Sequence, residues 1–97
     1  MSTYIILARW TKQGLQNLGE SPSRLEAGRK AFEAAGVKLK EFYMVMGQYD
    51  MVSIAEAPDD ATLARATLGL TSKGNFQTET LRAFTEDEYK KIISAIG

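Results

Sequence analysis

The connection Gly47-Gln48-Tyr49-Asp50 constrains this chain more than any other stretch. It is short, contains glycine and aspartate, and separates two apolar runs, residues 37–46 and 51–57. A short Gly/Asp link between two such runs is a β-hairpin. On each side of the hairpin lies a helical pattern and then an outer β-type run. With the second and third strands paired, one helix joins the first strand to the hairpin and the other joins the hairpin to the fourth strand. The folds open to such a chain then reduce to the split β-α-β kind.

Taken in order, residues 3–10 are β-branched and aromatic, with Ile5, Leu7 and Arg9 on one alternating face and Tyr4, Ile6, Ala8 and Trp10 on the other. Apolar side chains on both faces predict a central strand. Residues 11–21 hold two glycines and several polar residues and predict a loop, with a turn of helix around residues 15–18. Two readings of this long loop stand together: a functional segment, or a packed clamp made by Leu15 and Leu18. Ser21-Pro22 is a helix start, Ser as N-cap and Pro at the first helical position, with Ser23 and Glu26 as an alternative capping box. Leu25, Gly28, Phe32 and Ala35 form its buried stripe, with Gly28 as a close contact to the sheet, and Gly36 ends it. Pro58-Asp59-Asp60 stops the third strand and caps a second helix, whose stripe is Ala61, Ala64 and Leu68 with Leu63, Thr67 and Leu70 beside it. Lys73-Gly74 closes that helix. Residues 75–84 predict a fourth strand, and Thr85 with Glu88 a capping box for a last helix with the stripe Tyr89, Ile92, Ile93 and Ile96.

The order β-α-β-β-α-β-α predicts an α+β fold: a ferredoxin-like βαββαβ sandwich with a C-terminal helix, formed as a single domain by residues 1–97. Both crossover helices lie on one side of a four-stranded antiparallel sheet. The other face is left bare, and the alternation assigns to it Tyr4, Ile6, Ala8, Trp10, Glu41, Tyr43, Val45, Ser53, Thr78, Thr80 and Arg82. A partly apolar bare face predicts a homodimer with facing sheets, or a larger homo-oligomer built from such dimers. Twelve basic residues balance twelve acidic ones, so no electrostatic footprint points to nucleic acid or an anionic membrane. The chain has no Cys and no His, which excludes thiolate catalysis, a Ser-His-Asp triad, and the usual zinc and haem ligands. No metal site and no cofactor is expected. No signal peptide is visible and no apolar run approaches the about 18–20 residues of a membrane span, so a cytoplasmic location is the expectation.

At the hairpin the chain resembles the GYD-domain family, which takes its name from the G-x-Y-D motif seen here as Gly47-Gln48-Tyr49-Asp50. The resemblance extends through Leu7-Ala8-Arg9-Trp10-Thr11, Ser21-Pro22-Ser23-Arg24, Phe42-Tyr43-Met44-Val45-Met46, Glu56-Ala57-Pro58-Asp59-Asp60 and Thr78-Glu79-Thr80-Leu81-Arg82-Ala83-Phe84. It implies a dimeric ferredoxin-like domain, akin in shape to the dimeric α/β barrels, within a family of uncharacterised bacterial and archaeal proteins. It implies no catalytic residues.

The residues themselves offer a short roster. Asp50, Tyr43 and Tyr49 are the candidates for proton transfer. Asp50 has an equally physical role as a turn residue whose carboxylate accepts backbone N–H groups. Trp10, Tyr43 and Arg82 are the candidates for ligand binding: an indole to stack, a phenol, and a planar fork for a carboxylate or phosphate. Arg82 has an alternative as an ion-pair partner of Glu41, of Glu79 or of an acid across the dimer. Arg9, Arg24 and Arg29 around the Ser21-Pro22 helix start make a further anion candidate, although nothing in the sequence brings Arg9 to that point. Three functions are compatible with this set. One is a small non-enzymatic homodimeric module binding a small, partly apolar molecule between its sheets. The second is a cofactor-independent oxygenase or isomerase of the dimeric α/β-barrel type. The third is a purely structural assembly unit.

Overall fold

The computed structural model describes residues 1–97. Strands β1 (Ser2–Trp10), β2 (Lys38–Met44), β3 (Met51–Ala57) and β4 (Phe76–Ala83) form one antiparallel sheet in the order β2-β3-β1-β4. This is the ferredoxin-like arrangement expected from the element order. Helix α2 (Ser21–Ala34) carries the first crossover and α3 (Asp60–Thr71) the second, while α4 (Glu86–Ile96) follows the last strand. The long loop after β1 folds into a short helix α1 (Lys12–Gln16) and a 3-10 turn at Leu18–Glu20.

Helix ends follow the local chemistry in most places. Asp59 caps α3 by accepting from the Thr62 N–H at 2.8 Å. Thr85 and Glu88 make the reciprocal capping box of α4. Gly36 and Gly74 sit at φ of +88° and +86°, the left-handed conformation that a glycine adopts freely after a helix. The start of α2 differs from expectation. Ser21 is the first helical residue rather than the cap, no side chain caps this end, and the preceding 3-10 turn runs straight into the helix.

The core lies between α2, α3 and one sheet face. Tyr4, Ile6, Ala55 and Ala57 meet Phe32, Val37, Leu63 and Ala66 there. This corrects the face assigned to β1: Tyr4, Ile6, Ala8 and Trp10 point toward the helices, and Thr3, Ile5, Leu7 and Arg9 form the bare side. Cross-strand pairing carries Ser53, Thr78, Thr80 and Arg82 to the helix side with them. The physical reason is space: Tyr4 pairs with Ala55, and Ala55 and Ala57 are small enough to let the helices approach over a large ring. The buried Tyr4 hydroxyl then donates to the Asp60 carboxylate at the start of α3. Burial, reinforced by that carboxylate, pushes the phenol up from its ordinary value. A register irregularity between Leu39 and Glu41 keeps Leu39 and Phe42 on the helix side while Glu41 and Tyr43 face outward, as expected for those two.

On α3 the buried residues are Leu63, Ala66 and Thr67, and the expected stripe of Ala61, Ala64 and Leu68 is exposed. The helix is rotated so that Leu63 and Thr67 of the neighbouring stripe, with Ala66, take the core contact, and Leu68 stands 67% exposed. Leu15 and Leu18 are also exposed, so they are not the clamp of the long loop. Gly14 is the buried residue of α1 instead. Helix α4 leaves the body of the domain with Tyr89, Ile92, Ile93 and Ile96 all exposed. Its excursion helps raise the radius of gyration to 14.7 Å, above the about 13 Å of a compact chain of this length. No helix is long and apolar enough to cross a membrane.

Candidate functional site

The hairpin is held by its own signature residues. The Asp50 carboxylate accepts from the Trp10 backbone N–H at 3.0 Å, its N–H donates to the Ala8 carbonyl at 2.9 Å, and its carbonyl accepts from Val45 at 2.8 Å. The carboxylate thus binds a backbone donor, but the donor belongs to the neighbouring strand rather than to the turn. Gly47 has φ of +135°, which a side chain would strain. The Arg9 guanidinium lies 4.5 Å from the Tyr49 ring centroid and donates to the Gln48 carbonyl. The Tyr49 hydroxyl donates to Glu79 at 2.6 Å, and this bond holds its proton more tightly than a free phenol does. Tyr43 is similar: it donates to Glu41, which pushes its hydroxyl up, and the side chain stands half in solvent. Both phenols are therefore held as donors to carboxylates. No group of three His, Cys, Asp or Glu side chains converges for a metal ion.

The three expected ligand-binding residues are not brought together. Tyr43 is on the bare face. Trp10 and Arg82 share the helix side, but Trp10 pairs with Phe76 at one end of β1 and Arg82 with Tyr4 toward the other. The two pairs stand six positions apart along the strand, about 20 Å. Arg82 packs over the Tyr4 and Phe84 rings, and donates to Ser2 Oγ at 3.1 Å and to the carbonyls of Ala83 and Thr3. It makes no ion pair with Glu41 or Glu79, which lie on the opposite face.

A cavity of about 230 Å³ opens between α2 and the Trp10 end of the sheet. Its floor is β-sheet, with Ile6, Trp10, Phe42 and Met51; its wall is one face of α2, with Ser21, Arg24, Gly28 and Phe32. Gly28 leaves this space open: a Cβ there would meet nothing nearer than Leu70 Cδ1 at 3.6 Å. Arg24 donates to the carbonyls of Asn17 at 2.8 Å and Gly14 at 3.3 Å, which fastens the long loop to α2. Its Nε and the indole Nε1 of Trp10 are both buried without a hydrogen-bond partner. Of the expected anion candidate, Arg24, Arg29, Ser21 and Pro22 meet at this cavity, whereas Arg9 is on the far side with Tyr49.

The family model of the GYD domain matches residues 4–93. This chain belongs to the GYD domain family. A Thermus thermophilus relative, named as a glutamine synthetase and cystathionine beta-lyase binding protein, is 40% identical over 84 residues, covering 86% of this chain and 88% of the relative. The crystal structure of TTHA0845, also from Thermus thermophilus, superposes with a TM-score of 0.57 at 29% identity, over 88% of this chain and 95% of that one. A feast or famine regulatory protein from M. tuberculosis, complexed with L-methionine, gives a TM-score of 0.63 at 16% identity, over 90% of this chain and 54% of that one; the likeness is one of fold. Within this GYD domain the motif residues Tyr49 and Asp50 act as fasteners of the hairpin. Sequence reading missed the cavity residues Phe32, Phe42 and Met51 because their apolar character fits a filled core equally well. The available signal was Gly28, a helix-weakening residue on the buried stripe.

Proposed function

We propose that this GYD domain is a non-catalytic binding module that pairs through its helix-free sheet face with a second copy of itself and, as a pair, docks onto other proteins. The observation that carries this reading is the composition of that face. Ile5, Leu7, Val52, Ile54 and Leu81 sit on adjacent strands outside the core, ringed by Arg9, Lys38, Glu41, Glu56 and Glu79. Four strands about 4.8 Å apart and about eight residues long make a face of roughly 500 Å² in plan. That is the scale of a standard interface, about 800 Å² of accessible surface per partner. The ring holds both signs of charge, as a self-complementary two-fold contact requires. Docking onto other proteins is supported by the name of the 40% identical relative, a binding protein for two enzymes.

Catalysis finds less support. An oxygenase or isomerase site would need Trp10, Tyr43, Tyr49, Asp50 and Arg82 around one substrate, and these side chains are spread over both sheet faces and both ends of β1. The test is the mass in solution by light scattering. The native chain of 10.7 kDa is expected to run at twice that mass. Leu7→Glu, outside the core, is expected to run as a folded monomer with unchanged circular dichroism. A monomeric native protein at about 100 μM, far above the Kd expected of a standard-size interface, overturns the pairing, as does a dimeric Leu7→Glu. Titration of the native protein against purified glutamine synthetase and cystathionine beta-lyase tests the docking. Saturable binding to either supports it, and binding to neither overturns it.

A further inference from the structure

The cavity under α2 combines features that point to a ligand chemistry independent of how the sheet face pairs. Its lining is mainly apolar and includes two arginines, Arg24 and Arg29, but no aspartate or glutamate. A second groove between α2 and α3 shares Arg24, Gly28, Phe32, Leu70 and Phe76 with it and adds Arg65 and Lys73, again without an acid. Arg29 pairs with Glu26 at 3.8 Å, whereas Arg24 has no carboxylate partner. Its half-buried charge meets the carbonyls of Asn17 and Gly14 and, at 5.9 Å, the Phe76 ring, and its Nε has no acceptor. The Trp10 indole N–H is the second buried donor without an acceptor. Both side chains gather at Gly14: Trp10 Cδ1 lies against it, and Arg24 bonds its carbonyl. Buried donors without partners are uncommon and costly in folded proteins. A chain with balanced overall charge has here concentrated cations and unpaired N–H groups beside apolar space.

We propose that this cavity is a binding site for a small monocarboxylate with an apolar body, its hydrocarbon part between α2 and the sheet and its carboxylate accepting from Arg24 and Trp10. Size agrees with this class. An apolar cavity of about 150 Å³ accommodates benzene, so the about 230 Å³ here accommodates a chain or ring of about six carbons. A carboxylate matches the guanidinium fork and supplies acceptors for the indole donor. An alkylammonium ion of the same length would bring a third positive charge into a space that holds two arginines and no acid.

Trp10 is the only tryptophan, so the native protein reports on its own cavity by fluorescence. Hexanoate, 1-hexanol and hexylamine are the probes. Hexanoate is expected to change the Trp10 emission saturably, binding at least tenfold more tightly than 1-hexanol, with no saturable change from hexylamine. In ¹H–¹⁵N spectra the hexanoate shifts are expected at Gly28, Met51 and Phe76 and not at Val52 or Leu81 on the other sheet face. Arg24→Gln is expected to reduce the affinity for hexanoate to that for 1-hexanol. Gly28→Leu, which fills the space and keeps the arginine, is expected to abolish it. Absence of a saturable response to hexanoate in the native protein overturns the proposal. So does equal affinity for hexylamine, or unchanged hexanoate binding in Gly28→Leu. If Arg24→Gln loosens the loop it anchors, the three probes on the native protein and Gly28→Leu still decide.

Discussion

Asp50 offers the sharpest test of what the signature hairpin does. Its carboxylate accepts one hydrogen bond, from the Trp10 backbone N–H at 3.0 Å, in a part-buried setting. The backbone N–H and carbonyl of the same residue pair with Ala8 and Val45, and these bonds do not depend on the side chain. Asp50→Ala therefore removes one acceptor and leaves the ladder in place. A hydrogen bond to a charged group contributes about 1.5–3 kcal/mol net. Partial exposure of this one reduces the figure to about 1–2 kcal/mol, because water takes up some of the freed N–H. For a domain of this length that corresponds to a fall in Tm of about 4–16 °C. Asp50→Asn keeps an acceptor oxygen without the charge, and neutral bonds are roughly half as strong, so its Tm is expected about midway. The assay is thermal unfolding by circular dichroism, with amide hydrogen exchange at Trp10 as the local readout. A hairpin fastener predicts faster exchange at Trp10 in both variants, more in Asp50→Ala. An unchanged Tm together with unchanged Trp10 protection in Asp50→Ala would refute the reasoning.

Two further perturbations address the loop and the last helix. A Cβ on Gly14 would lie 2.3 Å from the Asn75 carbonyl oxygen, which also accepts from Thr11 N–H at 3.0 Å. Gly14→Ala is therefore expected to cost about 1–3 kcal/mol by overpacking and to shift Trp10 emission. Gly19→Ala, with nothing within 4 Å of its added carbon, is the control and is expected to unfold like the native protein. In α4 the backbone N–H of Thr85 donates to Glu88 and holds its carboxyl below the usual glutamate range. A carboxyl depressed on folding contributes stability above its unfolded value and loses it as pH falls through the folded one. Helical chemical shifts of Ile92 and Ile93 are therefore expected to fade on acidification below about pH 4.3. Thr85→Ala is expected to move the local helix–coil balance roughly fivefold toward coil at neutral pH, the effect of about 1 kcal/mol.

The sequence made the element order legible because each segment carried its own period and its own punctuation. Gly36 and Gly74 stop helices, Asp59 and Thr85 start them, and Gly47-Gln48-Tyr49-Asp50 turns the chain. Which face of β1 is inside was not legible, since both alternating sets are apolar. That choice was made by residues distant in sequence: the small Ala55 and Ala57 beside Tyr4, and Asp60 as acceptor for its hydroxyl. The register irregularity at Leu39/Glu41 likewise cannot be read from β2 alone, because only pairing with β3 defines it. The ligand candidates suffered from the same limit. Trp10 and Arg82 share a face, as the alternation predicts, but the alternation carries no information about the length of strand between them.

The hairpin lies between the two surfaces on which the functional proposals rest. Successive residues of a strand point to opposite faces, so Arg9 and Trp10 report to different sides of the sheet. Asp50 holds the Trp10 main chain, and the Trp10 indole forms part of the cavity floor. Tyr49, the preceding residue, leans on Arg9 and bonds Glu79 on the bare face. Two adjacent side chains of the turn thus fix the end of β1 from both sides. Neither Tyr49 nor Asp50 lines the cavity. What the pair supplies is a fixed backbone at the end of β1, where Arg9 of the outer face and Trp10 of the cavity follow each other.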